Sequence, residues 1–190
     1  MSTVYKGDYR KGEIEIIEPQ VVFQNKYLEI YDDRVRFPSG YEGTYVRINT
    51  STNKSVGILP ITKEGKMLVI KNFRHAMRGW GYEIPKGGIE PDEKTIEAAS
   101  RELMEETGYT AEKFVYMGQY SNTPDVIAGL MECYIALDCY RIDSANYEKT
   151  EAIGGVKELD INGYLEGRFI LDFQDAMTEL LAWKYLNGKY

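Results

Sequence analysis

The sequence is poor in the residues that build disulfide frameworks and soft metal sites. Among its 190 residues there are two cysteines, Cys133 and Cys139, and one histidine, His75. Two cysteines are too few for a disulfide framework, and one histidine cannot support a histidine-ligated metal site. The sequence therefore predicts two reduced thiols, and we expect a cytoplasmic protein.

Long apolar runs are also missing. No stretch reaches the roughly 20 apolar residues that cross a bilayer, and the polar N-terminal residues lack the apolar core of a signal peptide. There is no internal repeat and no low-complexity segment. We therefore expect neither a membrane partner nor export.

Positive charge is in deficit. Lysine and arginine number 23 against 30 aspartates and glutamates, for a formal net charge of −7. Duplex nucleic acid rewards dense Lys and Arg, so nucleic acid is a poor candidate partner. A negative protein that binds a phosphate-bearing substrate would meet it through metal ions. The length allows one domain with a sizeable core.

The stretch from Glu83 to Tyr109 organises the rest of the chain. A loop rich in proline and glycine leads to Asp92, which is placed as the N-cap of a helix. Good helix formers fill residues 93–107, and Gly108 is placed to end the helix in a left-handed conformation. The residues at helical spacing that predict its buried stripe are Ile96, Ala99, Leu103 and Thr107.

Three carboxylates crowd one side of one turn of this helix, because Glu106 and Glu105 lie four and three residues after Glu102. Like charges at that spacing repel, and a cation removes the cost. Oxygen ligands without His or Cys suit Mg²⁺ or Mn²⁺. Arg101 lies four residues before Glu105 and eight after Glu93, so it can brace the cluster. Composition alone favours a solvated acidic face instead.

The spacing along this stretch is specific. Gly87 is followed after five residues by Glu93, and after seven more by RELMEETG at residues 101–108. These positions carry all seven fixed letters of the Nudix box, so the chain resembles the Nudix hydrolases. At roughly 5–8% usage per letter, chance gives about one match in 10⁸ start positions. The final aliphatic position is Tyr109 here, and that position only packs.

The resemblance implies a fold and a set of roles. The fold would be an α/β class, a Nudix α/β/α sandwich with an additional N-terminal antiparallel sheet. Glu93 and Arg101 would form a bracing ion pair. The ligands of catalytic Mg²⁺ or Mn²⁺ would be Glu102, Glu105, Glu106 and the backbone carbonyl of Gly87.

The N-terminal residues read as short strands, at 13–18, from 21, at 27–31, at 34–37 and at 44–48, with Asp32-Asp33 as a tight turn. Residues 1–50 resemble the N-terminal sheet of the ADP-ribose pyrophosphatase branch. In that branch the sheet is exchanged between the subunits of a homodimer, and residues 51–190 would form the Nudix hydrolase domain. The alternative is a sheet extension in a monomer. Arg47 is a candidate phosphate contact.

Residues 56–62 and 67–71 predict a β-hairpin. The following Asn72–Ala76 resembles the family's Gln-Tyr-Arg segment, which implies that Arg74 binds the substrate's phosphates. Arginine suits this task because its planar fork meets phosphate oxygens two at a time. An arginine paired with a carboxylate is the alternative. Glu83 resembles a glutamate that precedes the box and contributes to metal or substrate binding.

Strands are predicted at 114–120 and 130–137. The second is nearly all apolar, which predicts a central strand covered on both faces. Between them, Pro124 lies sixteen residues after Gly108 and resembles the marker of the ADP-ribose pyrophosphatase branch. Asp125 and Gly129 replace the Gly and the sugar-contacting Glu of that branch. The sequence therefore leaves open which sugar the substrate carries.

The polar stretch 140–155 resembles a loop that supplies a further glutamate, as general base or extra metal ligand. Glu151 matches best and Glu148 is the second choice, although any surface loop carries acids. A last helix is predicted over residues 172–186, with Asp172 as its cap.

Together these features imply Mg²⁺-dependent hydrolysis of a nucleoside diphosphate sugar, with ADP-ribose giving AMP and ribose 5-phosphate. GDP-mannose or another sugar nucleotide is the main alternative. A nucleotide sensor would be expected to lack box glutamates, and none is lost. A hydrolase of altered nucleoside triphosphates is disfavoured by Pro124 and the N-terminal sheet.

Overall fold

The chain divides into two units in the computed structural model, which describes residues 6–143, 145–147 and 152–188. The first unit comprises Met1–Asn53 and Ser121–Gly129, and the second comprises Lys54–Tyr120 and Leu130–Tyr190. No helix in the described part of the chain is long and apolar enough to cross a membrane.

The first unit is a four-stranded antiparallel sheet. After a 3₁₀ turn at Tyr9–Lys11, its strands are β1 (Glu15–Glu18), β2 (Val21–Gln24), β3 (Leu28–Arg36) and β4 (Glu42–Thr50). Strand β3 pairs with β4 along its whole length and with β1 and β2 along its other edge. The segment 121–129 joins this unit through a bridge between Ile127 and Ile48.

The predicted turn at Asp32-Asp33 is wrong, because both residues lie inside the continuous strand β3. Asp33 is buried, and its charge is compensated by Arg47 on β4. The turn before β3 is formed instead at Asn25, whose side chain accepts hydrogen bonds from the backbone N–H groups of Tyr27 and Leu28. Local turn chemistry could not reveal a compensating charge on another strand.

The described residues of the second unit form a nine-stranded sheet and three helices. Its strands are β5 (Lys54–Thr62), β6 (Met67–Arg74), β7 (Gly79–Glu83), β8 (Lys86–Gly88), β9 (Tyr109–Thr110), β10 (Lys113–Tyr120), β11 (Leu130–Arg141), β12 (Ile153–Leu159) and β13 (Phe173–Gln174). Its helices are α1 (Thr95–Thr107), α2 (Ile161–Leu165) and α3 (Ala176–Leu186).

Strands β10-β11-β5-β6-β7-β13 follow one another in the sheet, with β11 parallel to β5. Strand β8 pairs with β5, β12 with β6, and β9 with β11. The predicted hairpin of β5 and β6 is confirmed, and Gly65 in its turn has a φ of 74°. The prediction that β11 is central is also confirmed, since β10 and β5 flank it.

Side chains on opposite faces of this sheet enter two cores. On one face Ile58 and Leu68 pack with Ala99 and Leu103 of α1. On the other face residues of β5 and β6 pack with α2 and α3. This layering confirms the predicted α/β/α sandwich, and the first unit is the additional N-terminal antiparallel sheet.

Both predicted N-caps are wrong by a few residues. The N-cap of α1 is Lys94, because Asp92 adopts a left-handed φ of 64° in the preceding turn. The N-cap of α3 is Asp175, whereas the Asp172 carboxylate accepts the backbone N–H of Trp80. Each aspartate predicted as a cap lies in the connection before its helix.

The other end of α1 follows the prediction. Gly108 has a φ of 76° and donates its N–H to the carbonyl of Met104. Ala99, Leu103 and Thr107 are buried as predicted, but Ile96 in the first turn is exposed. The buried stripe begins at Ala98, after that first turn.

Candidate functional site

The three glutamates of the Nudix box on helix α1 differ in solvent exposure. Glu102 and Glu106 lie four residues apart on the buried side of the helix and are 8% and 4% exposed. Glu105 has 44% of its side chain exposed. The predicted cluster therefore has two acids facing the protein and one at its edge.

Arg101 connects these acids to the start of the helix. It contacts Glu93 through Nε–Oε1 and Nη2–Oε2 at 2.9 and 3.0 Å. Its Nη1 donates to Oε1 of Glu102 at 2.7 Å and to Oε2 of Glu105 at 3.0 Å. Bonding to Glu93 is the main reason why the pKa of Arg101 is raised, and it lowers the pKa of Glu93. One guanidinium thus compensates three carboxylates.

The loop that carries β8 lies against the same acids. The backbone N–H of Lys86 donates to Oε2 of Glu106 at 2.8 Å, and Arg101 Nη2 donates to the carbonyl of Gly88 at 2.9 Å. A Cβ atom on Gly87 would overlap the carboxylate of Glu102. Glycine is therefore required for Glu102 to approach the main chain here.

The chemistry of these donors fits a hard divalent ion. Glu102 and Glu106 lie against the loop at Gly87, Glu105 joins them through Arg101, and all candidate ligands are oxygen atoms. Within the ranges that the structure describes, no three acidic, His or Cys side chains are arranged as a metal-binding group. Glu102 and Glu105 are instead both bonded to Arg101.

A second charged cluster surrounds Glu83, whose side chain is almost completely buried. Arg74 Nε contacts Oε1 and Oε2 of Glu83 at 2.9 and 3.0 Å, and its Nη2 contacts Oε2 at 2.5 Å. Lys86 Nζ lies 2.9 Å from the same Oε2 and 3.0 Å from Oδ1 of Asp175. The two predicted substrate contacts, Arg74 and Glu83, are therefore paired with each other.

Sequence reasoning missed Lys86 and Asp175. Lys86 lies three residues after Glu83 and directly before Gly87, so its place beside the box was a usable signal. Asp175 is distant from Lys86 in sequence, and its one local signal, a position just before an apolar helix, favours a helix cap and not a site residue.

Two further predicted contacts lie in the first unit. Arg47 bonds Asp33 through Nε–Oδ2 at 2.8 Å and lies 3.9 Å above the ring of Tyr31. Pro124 and Arg47 line a cavity of about 160 Å³ together with Ile127. The structure therefore brings Pro124 and Arg47 together.

The remaining predicted residues, Glu151 and Glu148, lie outside the described residues. The described part of the loop before them joins α1, because the N–H of Asn146 donates to the carbonyl of Glu105 at 2.8 Å.

Comparison with known proteins places this geometry in a family. The sequence model of the NUDIX domain matches residues 51–149. An ADP-ribose pyrophosphatase from Bacillus subtilis (strain 168) is 28% identical over 177 residues, which cover 93% of this chain and 94% of that protein. An RNA pyrophosphohydrolase from Bartonella tribocorum (strain CIP 105476 / IBS 506) is 41% identical over 139 residues, which cover 70% of this chain and 75% of that protein.

A crystal structure of an ADP compounds hydrolase shares the fold. It has a TM-score of 0.75 at 22% identity, and the match covers 93% of this chain and 96% of the solved one. Nudix hydrolases generally need a divalent metal. The matched residues 51–149 make up more than half of the chain and include the acids of α1 and the loop at Gly87. The chain therefore belongs to the NUDIX domain family.

Proposed function

We propose that this protein hydrolyses the diphosphate linkage of a nucleoside diphosphate sugar, with ADP-ribose as the first candidate. Water adds to one phosphorus, the bridging oxygen leaves with the other phosphate, and the products are AMP and ribose 5-phosphate. The observation that carries this proposal is the placement of Glu102 and Glu106 against the loop at Gly87.

The proposed ligands of the divalent ion, Mg²⁺ or Mn²⁺, are Glu102, Glu105, Glu106 and the carbonyl of Gly87. Such an ion, when bound, neutralises charge on the diphosphate oxygens and makes a bound water more acidic. Arg101 and Glu93 hold the acids in place from the same helix. Their ion pair orients the site and takes no part in bond cleavage.

The substrate-binding residues that we propose are Arg74, Glu83, Pro124 and Arg47. Arg74 suits phosphate because the guanidinium presents several N–H donors in one plane. We propose Glu151 as general base, with Glu148 as the second choice. The general base takes the proton of the attacking water.

The choice of ADP-ribose is supported by alignment length. A match over 93% of the chain has to include most of the first unit, and the relative with that match is named ADP-ribose pyrophosphatase. The RNA pyrophosphohydrolase match covers 70% of the chain. GDP-mannose and other sugar nucleotides remain the second candidate, because Gly129 stands where the resembling branch has a glutamate that contacts the sugar.

A substrate panel tests the proposal. We expect ADP-ribose with Mg²⁺ to give equal amounts of AMP and ribose 5-phosphate, measured by anion-exchange chromatography and ³¹P NMR, and EDTA to abolish the reaction. We expect kcat/KM for ADP-ribose to exceed that for GDP-mannose and ATP by at least about tenfold, a difference of about 1.4 kcal/mol in transition-state binding. Hydrolysis of triphosphates alone would overturn the substrate class. Tight binding of ADP-ribose without turnover would identify a sensor.

We further propose a homodimer formed through the first unit. Strand β2 is an edge strand, and its residues Val21, Val22 and Phe23 are each about half exposed. An exposed apolar edge strand invites pairing with another chain unless something covers it. A second copy of this sheet would cover it.

Light scattering during size-exclusion chromatography tests the dimer. We expect twice the monomer mass of 21.8 kDa for the wild type, and a shift toward the monomer for Phe23→Lys, because a lysine at an edge opposes pairing. The control is Trp183→Lys, which changes an equally exposed residue of α3 and should leave the mass unchanged. A wild type that elutes as a monomer at all concentrations contradicts the proposal.

We also propose a cytoplasmic location. Cys133 and Cys139 are both free and buried, and burial raises the pKa of each thiol to about 12. Protonated, buried thiols are consistent with a reducing compartment.

A further inference from the structure

The Glu83 carboxylate has its oxygens occupied by cations. Arg74 contacts both oxygens, and Lys86 Nζ shares Oε2 with Arg74 Nη2. A buried carboxylate is costly unless it is paired and hydrogen-bonded, and here two positive charges surround one negative charge. A metal ion at Glu83 would share this carboxylate with two cations that repel it.

The two cations extend outward from this buried acid. The Arg74 side chain is 42% exposed and that of Lys86 is 16% exposed. Because Nη2 and Nζ bond the same oxygen, they lie within two hydrogen-bond lengths of each other. Two neighbouring cations at that spacing can contact one diphosphate.

Lys86 is held from a second side by Asp175. Asp175 Oδ1 accepts from Lys86 Nζ, and its Oδ2 accepts from the N–H and Oγ1 of Thr178. Burial alone would raise the pKa of Asp175, but the charge of Lys86 and the bonds from Thr178 outweigh it and lower the pKa. The hydrogen bond to Asp175 uses one of the three ammonium hydrogens of Lys86, and Glu83 is in ion-pair contact with the same group.

The same residue touches the acidic helix. The backbone N–H of Lys86 donates to Glu106 while its side chain contacts Glu83. The hydrogen bond to Glu83 is the main reason why the pKa of Arg74 is raised. The negative charges of Asp175 and Glu106 raise the pKa further. The cations therefore lie next to the acids that we assign to the divalent ion.

We propose that Arg74 and Lys86 form a cation pair that binds the diphosphate of the substrate, and that Glu83 anchors this pair instead of ligating metal. Arg74 supplies planar, two-point contacts and Lys86 supplies a compact charge. Asp175 is a positioning residue that orients Lys86. This inference rests on the proposed function. It adds Lys86 as a substrate contact, and it changes the role of Glu83 from a direct substrate contact to the anchor of the two cations.

Calorimetric binding of α,β-methylene-ADP, a non-cleavable diphosphate, tests the cation pair with and without Mg²⁺. We expect Lys86→Met to weaken binding at least about tenfold in both conditions, the scale of losing one charge-assisted hydrogen bond. Lys86→Arg should restore most of the affinity. Both variants keep the backbone bond to Glu106, so the box is left in place.

The matched control is Lys66→Met, which removes an exposed lysine paired with Asp160 in the same unit. Its affinity for the probe should equal that of the wild type. If Lys86→Met binds the probe as tightly as the wild type while its Tm falls, Lys86 is only structural and the inference is overturned. If the wild type binds the probe but hydrolyses no sugar nucleotide, the proposed function fails and the cation pair stands.

Binding of Mn²⁺, followed by electron paramagnetic resonance, tests the reassignment of Glu83. An anchor predicts an unchanged Mn²⁺ affinity in Glu83→Gln, with weaker binding of the probe. A metal ligand predicts a Mn²⁺ affinity lowered by much more than about tenfold, because even the outer-shell partner of a ligand contributes that much. Should Glu83→Gln not fold, Glu83→Asp replaces it, because it keeps the charge and shortens the side chain: a metal ligand predicts a lowered Mn²⁺ affinity, and an anchor predicts an unchanged one.

Discussion

Glu106→Gln is expected to lower kcat for sugar nucleotide hydrolysis by at least about 10²-fold, the scale of losing one strong electrostatic stabiliser. Glu106 is buried, and its Oε2 accepts the backbone N–H of Lys86 at 2.8 Å. A glutamine oxygen can accept the same bond, so the shape remains and only the negative charge is removed. Steady-state kinetics with ADP-ribose across a range of Mg²⁺ concentrations measures the loss.

Glu97→Gln is the matched control for this experiment. Glu97 is an exposed glutamate in the first turn of the same helix, paired with Lys94. We expect unchanged kcat, because the Glu97 side chain is exposed and its contacts are with Lys94 at the N-cap of α1. Full activity of Glu106→Gln with Mg²⁺ would remove the metal role of α1, since that role depends on the charge.

Arg101→Leu is expected to lower the free energy of unfolding by about 1–3 kcal/mol at neutral pH, between the values for exposed and buried ion pairs. Arg101 is about one quarter exposed and contacts Glu93, Glu102 and Glu105. Its removal leaves three neighbouring carboxylates without their shared counter-charge. Urea unfolding in EDTA measures the change.

The pH dependence of this loss has a definite sign. Arg101 lowers the pKa of Glu93, so the pair's contribution is full above the unfolded pKa of about 4.3 and is lost as the pH falls through the lower folded value. The difference between wild type and Arg101→Leu should therefore be largest near neutral pH and should shrink in acid. Mg²⁺ should recover part of it, because a bound ion stabilises the folded state.

The control for the second experiment is Arg168→Leu. Arg168 is exposed and pairs with Glu166 and Asp160, so its loss should change stability by at most about 0.5 kcal/mol. If the difference in the free energy of unfolding between the wild type and Arg101→Leu stays the same in acid, the ion pair between Arg101 and Glu93 is not its cause.

The helix at the centre of the site could be predicted because its signals are local. The ending of α1 at Gly108 follows from a left-handed residue after a helical run, and the shared side of Glu102 and Glu106 follows from their four-residue spacing. The hairpin of β5 and β6 follows from two apolar runs around a short polar turn. None of these depends on a distant partner.

Two wrong predictions for aspartates share a different cause. The local pattern predicts a turn at Asp33, but this residue lies buried in β3 because Arg47 on another strand compensates its charge. The local pattern predicts a helix cap at Asp172, but its carboxylate accepts a hydrogen bond from the backbone of Trp80 on β7. An aspartate that caps a helix or a turn and an aspartate that bonds a distant partner look alike in the local sequence. The local pattern therefore could not choose between these roles.

Residue spacing along the chain is enough to predict the family, the α/β class and the acids on α1, because spacing along a helix dictates which side chains share a side. The enclosure of Glu83 by Arg74 and Lys86, and the contact of Asp175 at the start of α3 with Lys86, follow only from the fold. The physical reason is that charge compensation in a protein interior depends on distance in space, and residues 74, 86 and 175 are brought together by sheet pairing and helix packing.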